Sequence, residues 1–282
     1  MCTVSVIRRS GGSRGVGAGI RLVVNRDEQR SRAEALPPRW FACGGDGPER
    51  AFRAIAPIDP NGGGTWVAAN DRGLVLCVLN LNGPGLIQGS ESRGGVIPKL
   101  IGAADTRAAM AAWSELDLTR IGPFRLLMID GAGEGSGGGV IETRWEGPGG
   151  RGAVTVEQHT LPGCWVSSGL GDALVRGPRL GLFRRMVMDA GCSEQDIESR
   201  QDAFHAHTWP DRPHLSVRMT RSDARTVSVT TVEVERAVPP AVHMRYQVVP
   251  SESEPAVGSF ARGHDRKLFG ITAEGAEAAN DD

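Results

Sequence analysis

Two short runs near the start of the chain decide its fold: MCTVSVI, residues 1–7, and IRLVVNRDE, residues 20–28. Both contain many β-branched residues, and the glycine-rich segment between them is typical of a connection between neighbouring strands. We therefore predict an antiparallel pair of strands, the second of which ends at Val24. In such a pair the end of the second strand lies beside the start of the first, so the polar residues NRDE come close to Cys2.

The four polar residues that follow Val24 divide between two faces. Side chains alternate along an extended segment, so Asn25 and Asp27 share one face. Arg26 and Glu28 share the other. Asp27 is then near enough to the start of the first strand to hold a positively charged amine. The competing interpretation is a hydrated turn with Arg26 and Glu28 at the surface.

Cys2 directly follows the initiator methionine. Methionine is generally removed when the next residue is small, and the processed chain would then carry a thiol and a free α-amine on the same residue. An α-amine titrates at about 7.7 to 8.0 and a thiol at about 8.5, so the amine can accept the thiol proton without a histidine. The competing interpretation is that Cys2 is a buried strand-edge residue without a chemical role.

Composition excludes several classes of partner. The 282 residues carry a formal net charge of −1, so we expect no basic surface for nucleic acid or for an anionic membrane. No run approaches the roughly 18 apolar residues that cross a bilayer, and residues 1–7 are too short for a secretory signal. The sequence predicts a cytoplasmic protein without a membrane span.

The length and the distribution of apolar residues predict one domain followed by a tail. With 40% apolar residues the chain can bury a sizeable core. We predict that residues 1–249 form a single domain. Residues 250–282 are less hydrophobic and end in EGAEAANDD, a composition typical of a disordered acidic tail.

Neither the cysteines nor the histidines indicate a metal site. The chain has five cysteines, an odd number, and no CxxC pair, which argues against a disulfide framework and against a thiolate metal site. His205, His207 and His214 form a loose group, but surface and helix-cap roles are the better interpretation. We predict no metal and no cofactor.

Periodicity and turn residues predict strands in blocks and helices in two clusters. Further strands are predicted at residues 65–69, 73–81, 124–130, 140–145, 154–159, 164–167, 215–220, 226–235 and 242–249. Helices are predicted at residues 92–103, 106–116, 172–189 and 193–207, with Asp105 and Ser193 as N-terminal caps. The proline-containing segment before residue 62 is predicted to be irregular. This pattern favours layered sheets covered by helices.

Several motifs in order along the chain resemble one family. They are the starting MC, NRDE, GGTW at residues 63–66, Gly73 with Asn80, SRG at residues 92–94 and FRLLMID at residues 124–130. Together they resemble the NRDE family, also called the transport-and-Golgi-organisation-2 family, which is related to N-terminal nucleophile hydrolases. The motifs are also similar to those of bile salt hydrolases and penicillin V acylases. The resemblance implies an α+β fold, a four-layer αββα sandwich of two antiparallel sheets.

The same resemblance implies roles for individual residues. Cys2 is the implied nucleophile, and Asp27 stands where the acylases have an aspartate that contacts the nucleophile's amine. Asn80 matches the asparagine that donates to the oxyanion of the tetrahedral intermediate. Such a donor lowers the barrier by about 2.7 to 4 kcal/mol. Asn82 lies on the same strand face and is the second candidate for this role.

Two positions depart from the acylase pattern. The acylases have an arginine three residues before the aspartate, where this chain has Val24. Arg26 is therefore a signature residue without an assigned task. Ser168 stands near the position of a second oxyanion asparagine, and its shorter side chain weakens the case for catalysis. The predicted substrate-binding residues are Asn25, Arg26, Trp66, Asn82 and Ser168.

Two functional hypotheses follow from the sequence. The first is an N-terminal cysteine nucleophile hydrolase that cleaves a linear amide (C–N) bond of a small substrate. The second is a non-catalytic family member that binds a small apolar or haem-like ligand, since eukaryotic relatives are discussed in terms of haem and lipid handling. In both cases the partner is a small molecule. The oligomeric state stays open.

Overall fold

The computed structural model describes residues 2–9, 18–44, 52–131, 139–148, 154–189 and 196–251. Several predicted features lie outside these ranges: most of the glycine-rich connection, the Ser193 cap and nearly all of the tail. The boundary predicted between domain and tail at residue 249 therefore stays a prediction.

The described chain contains twelve strands. In order they are β1 (Cys2–Arg9), β2 (Gly19–Gln29), β3 (Leu36–Cys43), β4 (Phe52–Ile58), β5 (Val67–Asn70), β6 (Leu74–Asn80), β7 (Phe124–Asp130), β8 (Val140–Trp145), β9 (Val154–His159), β10 (Gly163–Val166), β11 (Ala224–Glu235) and β12 (Ala241–Val248). They form a five-stranded sheet in the order β10-β1-β2-β11-β12 and a seven-stranded sheet in the order β3 to β9. All neighbouring strands are antiparallel, as predicted.

The helices are short and lie in two clusters. They are α1 (Val96–Leu100), α2 (Thr106–Ser114), α3 (Asp172–Phe183) and α4 (Ile197–Ala206). A 3-10 turn, Arg93–Gly95, leads into α1, and a π-helical turn, Arg184–Met188, follows α3. The predicted cap at Asp105 is confirmed, since its carboxylate accepts a hydrogen bond from the Ala108 amide. No described helix combines the length and apolar character that crossing a membrane requires.

Three apolar interfaces stack the elements into four layers. Between the sheets, Val4 and Leu22 of the five-stranded sheet share one cluster with Cys77 of β6. On the outer face of the seven-stranded sheet, strand residues pack with α1 and α2. On the outer face of the five-stranded sheet, Ile7 packs with Phe183 and Phe204 from the second helix cluster. The predicted α+β sandwich with helices outside two antiparallel sheets is confirmed.

Strands β3 and β4 correct the prediction of an irregular proline-containing segment. β3 is an edge strand, and an edge tolerates prolines because half of its backbone N–H groups face away from the ladder. Pro57 of β4 lies opposite the point where the register of β3 shifts, between Leu36 and Arg39. Proline therefore misled the prediction here, because its meaning depends on where the strand lies in the sheet.

The strand predicted at residues 215–220 is also wrong. The chain forms a 3-10 turn at Pro213–Leu215 and then makes a single bridge from Thr220 to Arg225. Its polar groups bond to α4 and to the start of β11, for example from the Arg218 amide to the His207 carbonyl at 3.0 Å. Local apolar content predicted a strand where no neighbouring strand is available.

Strand β2 does not end at Val24 but continues to Gln29. The extension exists because β11 pairs with β2 along its whole length, with Ala224 opposite Gln29 and Glu235 opposite Gly19. The NRDE residues therefore lie inside a central strand and not in a hydrated turn. This position fixes their side chains on the two faces of the sheet.

The GGTW and SRG motifs meet through two glycines. A Cβ atom on Gly64 would lie 2.4 Å from both the carbonyl carbon and oxygen of Gly94, so no larger residue fits there without a backbone shift. The Thr65 amide donates to the same carbonyl at 3.2 Å. This close approach joins the loop before β5 to the 3-10 turn that leads into α1.

We expect Gly64→Ala to destabilise the fold, because the new Cβ meets a rigid backbone carbonyl. Overpacking of this kind typically lowers the free energy of unfolding by about 1 to 3 kcal/mol. Urea denaturation of the purified variant measures the loss. Gly95→Ala is the matched control, since a Cβ there meets nothing within 4 Å and its φ is −77°. Equal stability of the two variants would contradict the tight Gly64–Gly94 contact.

Candidate active site

A cavity of about 380 Å³ opens where β1 begins and the NRDE segment of β2 passes it. The register places Cys2 opposite Arg26, so both side chains point to the same face of the sheet. Four predicted residues besides Cys2 line this cavity: Arg26, Trp66, Asn80 and Asn82. Asn25, Asp27 and Ser168 do not.

Cys2 is fixed by two hydrogen bonds to Ser167, which follows β10. The Cys2 backbone nitrogen donates to the Ser167 hydroxyl at 3.0 Å, and the Cys2 carbonyl accepts from the Ser167 amide at 2.8 Å. The residue is 4% exposed. Burial raises the pKa of its thiol, while the positive charges of the chain's N-terminus and of Arg26 act in the opposite direction. The net effect is a raised pKa, so the thiol is protonated near neutral pH.

Asp27 lies on the helix-facing side of the sheet. Its carboxylate accepts a hydrogen bond from the Thr226 hydroxyl at 2.6 Å and lies 3.8 Å from Arg179. Arg179 also donates to the Thr3 hydroxyl at 2.7 Å, which links Asp27 to β1. Burial raises the pKa of Asp27, although Arg179, Thr226 and the chain's N-terminal charge lower it. Asp27 thus interacts electrostatically with the start of β1 from the side of the sheet opposite the cavity.

Asn25 occupies a structural position and not the predicted substrate-binding one. It is fully buried, and its side-chain nitrogen donates to the carbonyls of His205 and Val217, both at 2.9 Å. Because every hydrogen bond points into the helix layer, the geometry corrects the expectation that Asn25 contacts a substrate. Asn25 joins β2 to the end of α4.

His205, at the end of α4, is held by both ring nitrogens. Its Nδ1 donates to the Asn25 side-chain oxygen at 2.9 Å, and its Nε2 accepts from the Ser5 hydroxyl at 2.7 Å. The Gln201 amide donates to the same hydroxyl at 2.8 Å, which fixes this tautomer. Burial, followed by the charges of Arg21 and Arg179, lowers the pKa of His205 to about 3. The ring is neutral and has no lone pair left for a metal.

Arg26 faces the cavity and is almost completely buried, which corrects the surface interpretation. Its guanidinium lies 3.0 Å from Asp59 and 3.4 Å from Glu28. It also stacks 4.5 Å above the ring of Trp66, in the range of a cation–π contact. Arg32 shares the Asp59 carboxylate at 2.8 Å. Arg26 therefore links Glu28, Asp59 and Trp66, which line the cavity.

The two asparagines predicted to donate to the oxyanion differ in the hydrogen bonds that they already make. Asn82 is tied to Asp172, through its backbone nitrogen at 3.2 Å and its side-chain nitrogen at 3.3 Å. Asn80 lines the cavity, and within the described chain its side chain makes no hydrogen bond. Its amide is therefore free to donate to a ligand.

Ser168 lies outside the cavity, and its hydrogen bonds fix the segment beside it. Its backbone nitrogen donates to Asp172 at 2.9 Å, and its hydroxyl accepts from the Leu170 amide at 3.2 Å. The neighbouring Gly169 lines the cavity instead. Sequence reasoning missed Ser167 because its contact with Cys2 depends on the pairing of β10 with β1, which are more than 150 residues apart.

One group of ligand-type side chains comes together elsewhere among the described residues. Glu142, Glu157 and His159 place their ligand atoms within 4.8 Å of one another. His159 lies 2.9 Å from Glu142, and the guanidinium nitrogens of Arg125 and Arg144 lie 3.5 Å and 3.9 Å from the same carboxylate. These protein cations offset the charge that would attract a metal ion.

Comparisons with known proteins find similarity in sequence and in structure. Residues 16–144 match the family model described as Transport and Golgi organisation 2, a span that includes NRDE and GGTW but not Cys2. No curated protein matches the chain. The resemblance read from the motifs is thereby confirmed over residues 16–144.

Solved structures with a related arrangement include two kinds of hydrolase. A Caenorhabditis elegans orthologue of N-acylethanolamine-hydrolyzing acid amidase is 14% identical, with a TM-score of 0.47, and covers 81% of this chain and 91% of its own. The C2A mutant of the Clostridium perfringens conjugated bile acid hydrolase is 12% identical, with a TM-score of 0.47, and covers 97% and 92%. Another variant of that hydrolase gives the same identity and score and covers 96% and 92%.

We expect the buried, neutral His205 to make stability depend on pH. Its pKa is about 3 in the folded chain, and the ordinary value of 6.5 applies in the unfolded chain. Between these pH values the unfolded chain therefore binds a proton that the folded chain does not. The free energy of unfolding therefore falls as pH decreases from 6.5 towards 3, by up to about 1.4 kcal/mol per unit.

Urea denaturation between pH 7 and pH 5 tests this expectation. His205→Gln should show a shallower pH dependence than the wild type, even if it is less stable overall. His214→Gln is the control, because His214 is exposed and its loss should leave the dependence unchanged. Identical slopes for the His205 variant and the wild type would contradict the assignment of a neutral ring.

Proposed function

Since residues 16–144 match the Transport and Golgi organisation 2 family, we propose that the chain is an N-terminal cysteine nucleophile hydrolase. It cleaves a linear amide (C–N) bond of a small substrate after Met1 has been removed. The observation that supports this most directly is the position of Cys2, whose side chain lines the cavity while its backbone nitrogen donates to Ser167. That nitrogen is the α-amine of the processed chain.

The α-amine acts as the base. Burial keeps the Cys2 thiol protonated, so the amine takes the proton as the sulfur attacks the substrate carbonyl. The resulting ammonium is stabilised by the Ser167 hydroxyl and by the negative charge of Asp27. It then gives the proton to the leaving nitrogen as the C–N bond breaks, which leaves a thioester on Cys2. Asp27 and Ser167 are positioning residues in this scheme.

Water completes the cycle by the same route. The α-amine accepts a proton from the water that attacks the thioester, the C–S bond breaks, and the sulfur recovers the proton. In both halves of the reaction negative charge develops on the carbonyl oxygen, and the uncommitted amide of Asn80 is available to donate to it. Asn82 holds the Asp172 carboxylate and has less freedom to do so.

The cavity lining does not favour the apolar ligand of the alternative hypothesis. Five charged side chains lie among the lining residues: Arg26, Glu28, Arg32, Asp59 and Arg93. An apolar ligand would remove water from these groups without replacing its hydrogen bonds, which costs free energy. A polar substrate keeps those bonds.

We expect an intact mass that corresponds to residues 2–282, followed by rapid alkylation of Cys2 by iodoacetamide. Cys43 and Cys77 should react slowly, because burial raises the pKa of the former to about 11 and the latter is fully buried. Peptide mapping after brief labelling identifies the site. Cys2→Ala should abolish the rapid phase, and Cys43→Ala should retain it. A retained methionine, or the absence of rapid labelling in the peptide that contains Cys2, would exclude the proposed mechanism.

We expect Asn80→Ala to lower the kcat for p-nitrophenyl acetate by about 10²-fold to 10³-fold, the usual effect of removing an oxyanion donor. The activated ester serves as a probe because its acyl transfer passes through the same type of oxyanion. Asn82→Ala is the comparison and should lose less, since its amide already bonds to Asp172. An Asn80 variant with wild-type kcat, or a larger loss in the Asn82 variant, would reverse the assignment.

A further inference from the structure

Three arginines line the candidate active-site cavity, and two of them are neutralised by carboxylates. Arg26 pairs with Asp59 and Glu28, and Arg32 pairs with the same two groups. The pKa of Asp59 is lowered by its hydrogen bonds and by these arginines, despite its burial, so it is ionised. Arg93 is the third arginine and differs from the other two.

Arg93 is held by neutral acceptors alone. Its Nε donates to the Pro123 carbonyl at 2.8 Å, and one Nη donates to the Gln88 side-chain oxygen. Within the described chain no carboxylate forms an ion pair with it, and its other Nη makes no hydrogen bond. Burial lowers its pKa, and no charged group offsets that effect. A half-buried cation thus faces the cavity without a counterion.

The guanidinium packs closely against a neighbouring segment of backbone. A Cβ on Gly122 would lie 2.7 Å from one guanidinium nitrogen, so a larger residue there would displace the end of the Arg93 side chain. Arg93 also follows Ser92, whose hydroxyl accepts from the Gly94 amide at 3.2 Å and begins the turn before α1. The side chain is therefore positioned before a ligand arrives.

A second uncommitted group of the cavity also offers a hydrogen-bond donor. The Asn80 side chain lines the cavity, and its amide makes no hydrogen bond in the described chain. The lining carries two carboxylates against three guanidinium groups, an excess of one positive charge before the α-amine is counted. A ligand that complements this surface carries acceptors and a negative charge.

We propose that the substrate of this cavity is an amide that bears a carboxylate, and that Arg93 is the specificity-determining residue that binds it. The inference rests on the proposed function, because it takes the cavity with Cys2 as the place of reaction. A guanidinium presents a planar pair of donors that matches a carboxylate. The carboxylate of the substrate then supplies the counterion that Arg93 lacks.

The test compares alkylation of Cys2 by iodoacetate and by iodoacetamide, which differ in charge and little in size. The ratio of the two rates, divided by the same ratio for N-acetylcysteine, measures the preference for an anion. In the wild type we expect a preference for iodoacetate. In Arg93→Gln the normalised ratio should fall by about tenfold, the factor typical of a hydrogen bond to a charged group.

Two further variants separate the role of the Arg93 guanidinium from the effect of removing any positive charge from the protein. Arg93→Lys keeps the charge but loses the paired donors, so its ratio should lie between those of the wild type and Arg93→Gln. Arg107→Gln removes a cation whose side chain is 93% exposed and which does not line the cavity, and its ratio should match the wild type. An unchanged ratio in Arg93→Gln, or an equal fall in Arg107→Gln, would overturn the proposal.

A second readout keeps this inference separate from the proposed mechanism. If Cys2 reacts with neither reagent, the hydrolase proposal fails, and binding is measured by thermal unfolding of Cys2→Ala with hippurate or with its neutral amide, hippuramide. Hippurate should raise the midpoint more than hippuramide, and the difference should disappear in Cys2→Ala with Arg93→Gln. Equal shifts with the two probes, or none, would overturn the assignment of Arg93.

Discussion

The register of β2 between β1 and β11 is the constraint on which the candidate site depends. Cys2 lies opposite Arg26, and Thr226 lies opposite Asp27, so one alignment sets both faces of the sheet. Because side chains alternate along a strand, a shift by one residue would exchange the two faces. A one-residue shift of β1 would turn the Cys2 thiol towards the helices, and the cavity would lose its proposed nucleophile.

The polar groups behind the sheet help to define that register. Asn25, Ser5, His205 and Gln201 form a buried hydrogen-bonded network between the strands and α4. A shifted strand would leave these groups buried without partners, at a cost of roughly 1 to 3 kcal/mol each. The same separation of faces places the Asp27 carboxylate and the Cys2 thiol on opposite sides of the sheet, although their charges still interact through it. The Cys2 backbone nitrogen lies between them.

The sequence predicted where the strands lie better than it predicted which distant segments contact one another. Runs of β-branched or other apolar residues revealed β1, β7, β8 and β9, and strand alternation assigned Arg26 and Asp27 to opposite faces. It did not reveal β3, because its prolines are tolerated at a sheet edge, and the position of the edge is a tertiary feature. Ser167 and Arg93 were missed for the same reason. Their positions depend on contacts between distant segments, with β1 in one case and with Pro123 and Gly122 in the other.

The cost of removing a charge from water applies to both Arg26 and Arg93, which are buried to different extents. Arg26 is 4% exposed, and a cation so deeply buried is stable only with close anionic partners, which Asp59 and Glu28 supply. Arg93 is half-buried, so water can hydrate it in place of a carboxylate. A ligand that enters the cavity removes this water and leaves the arginine with the desolvation cost that Arg26 avoids through its ion pairs. Only a ligand with its own negative charge offsets that cost, and for this reason the unpaired arginine selects among substrates while the paired one maintains the wall.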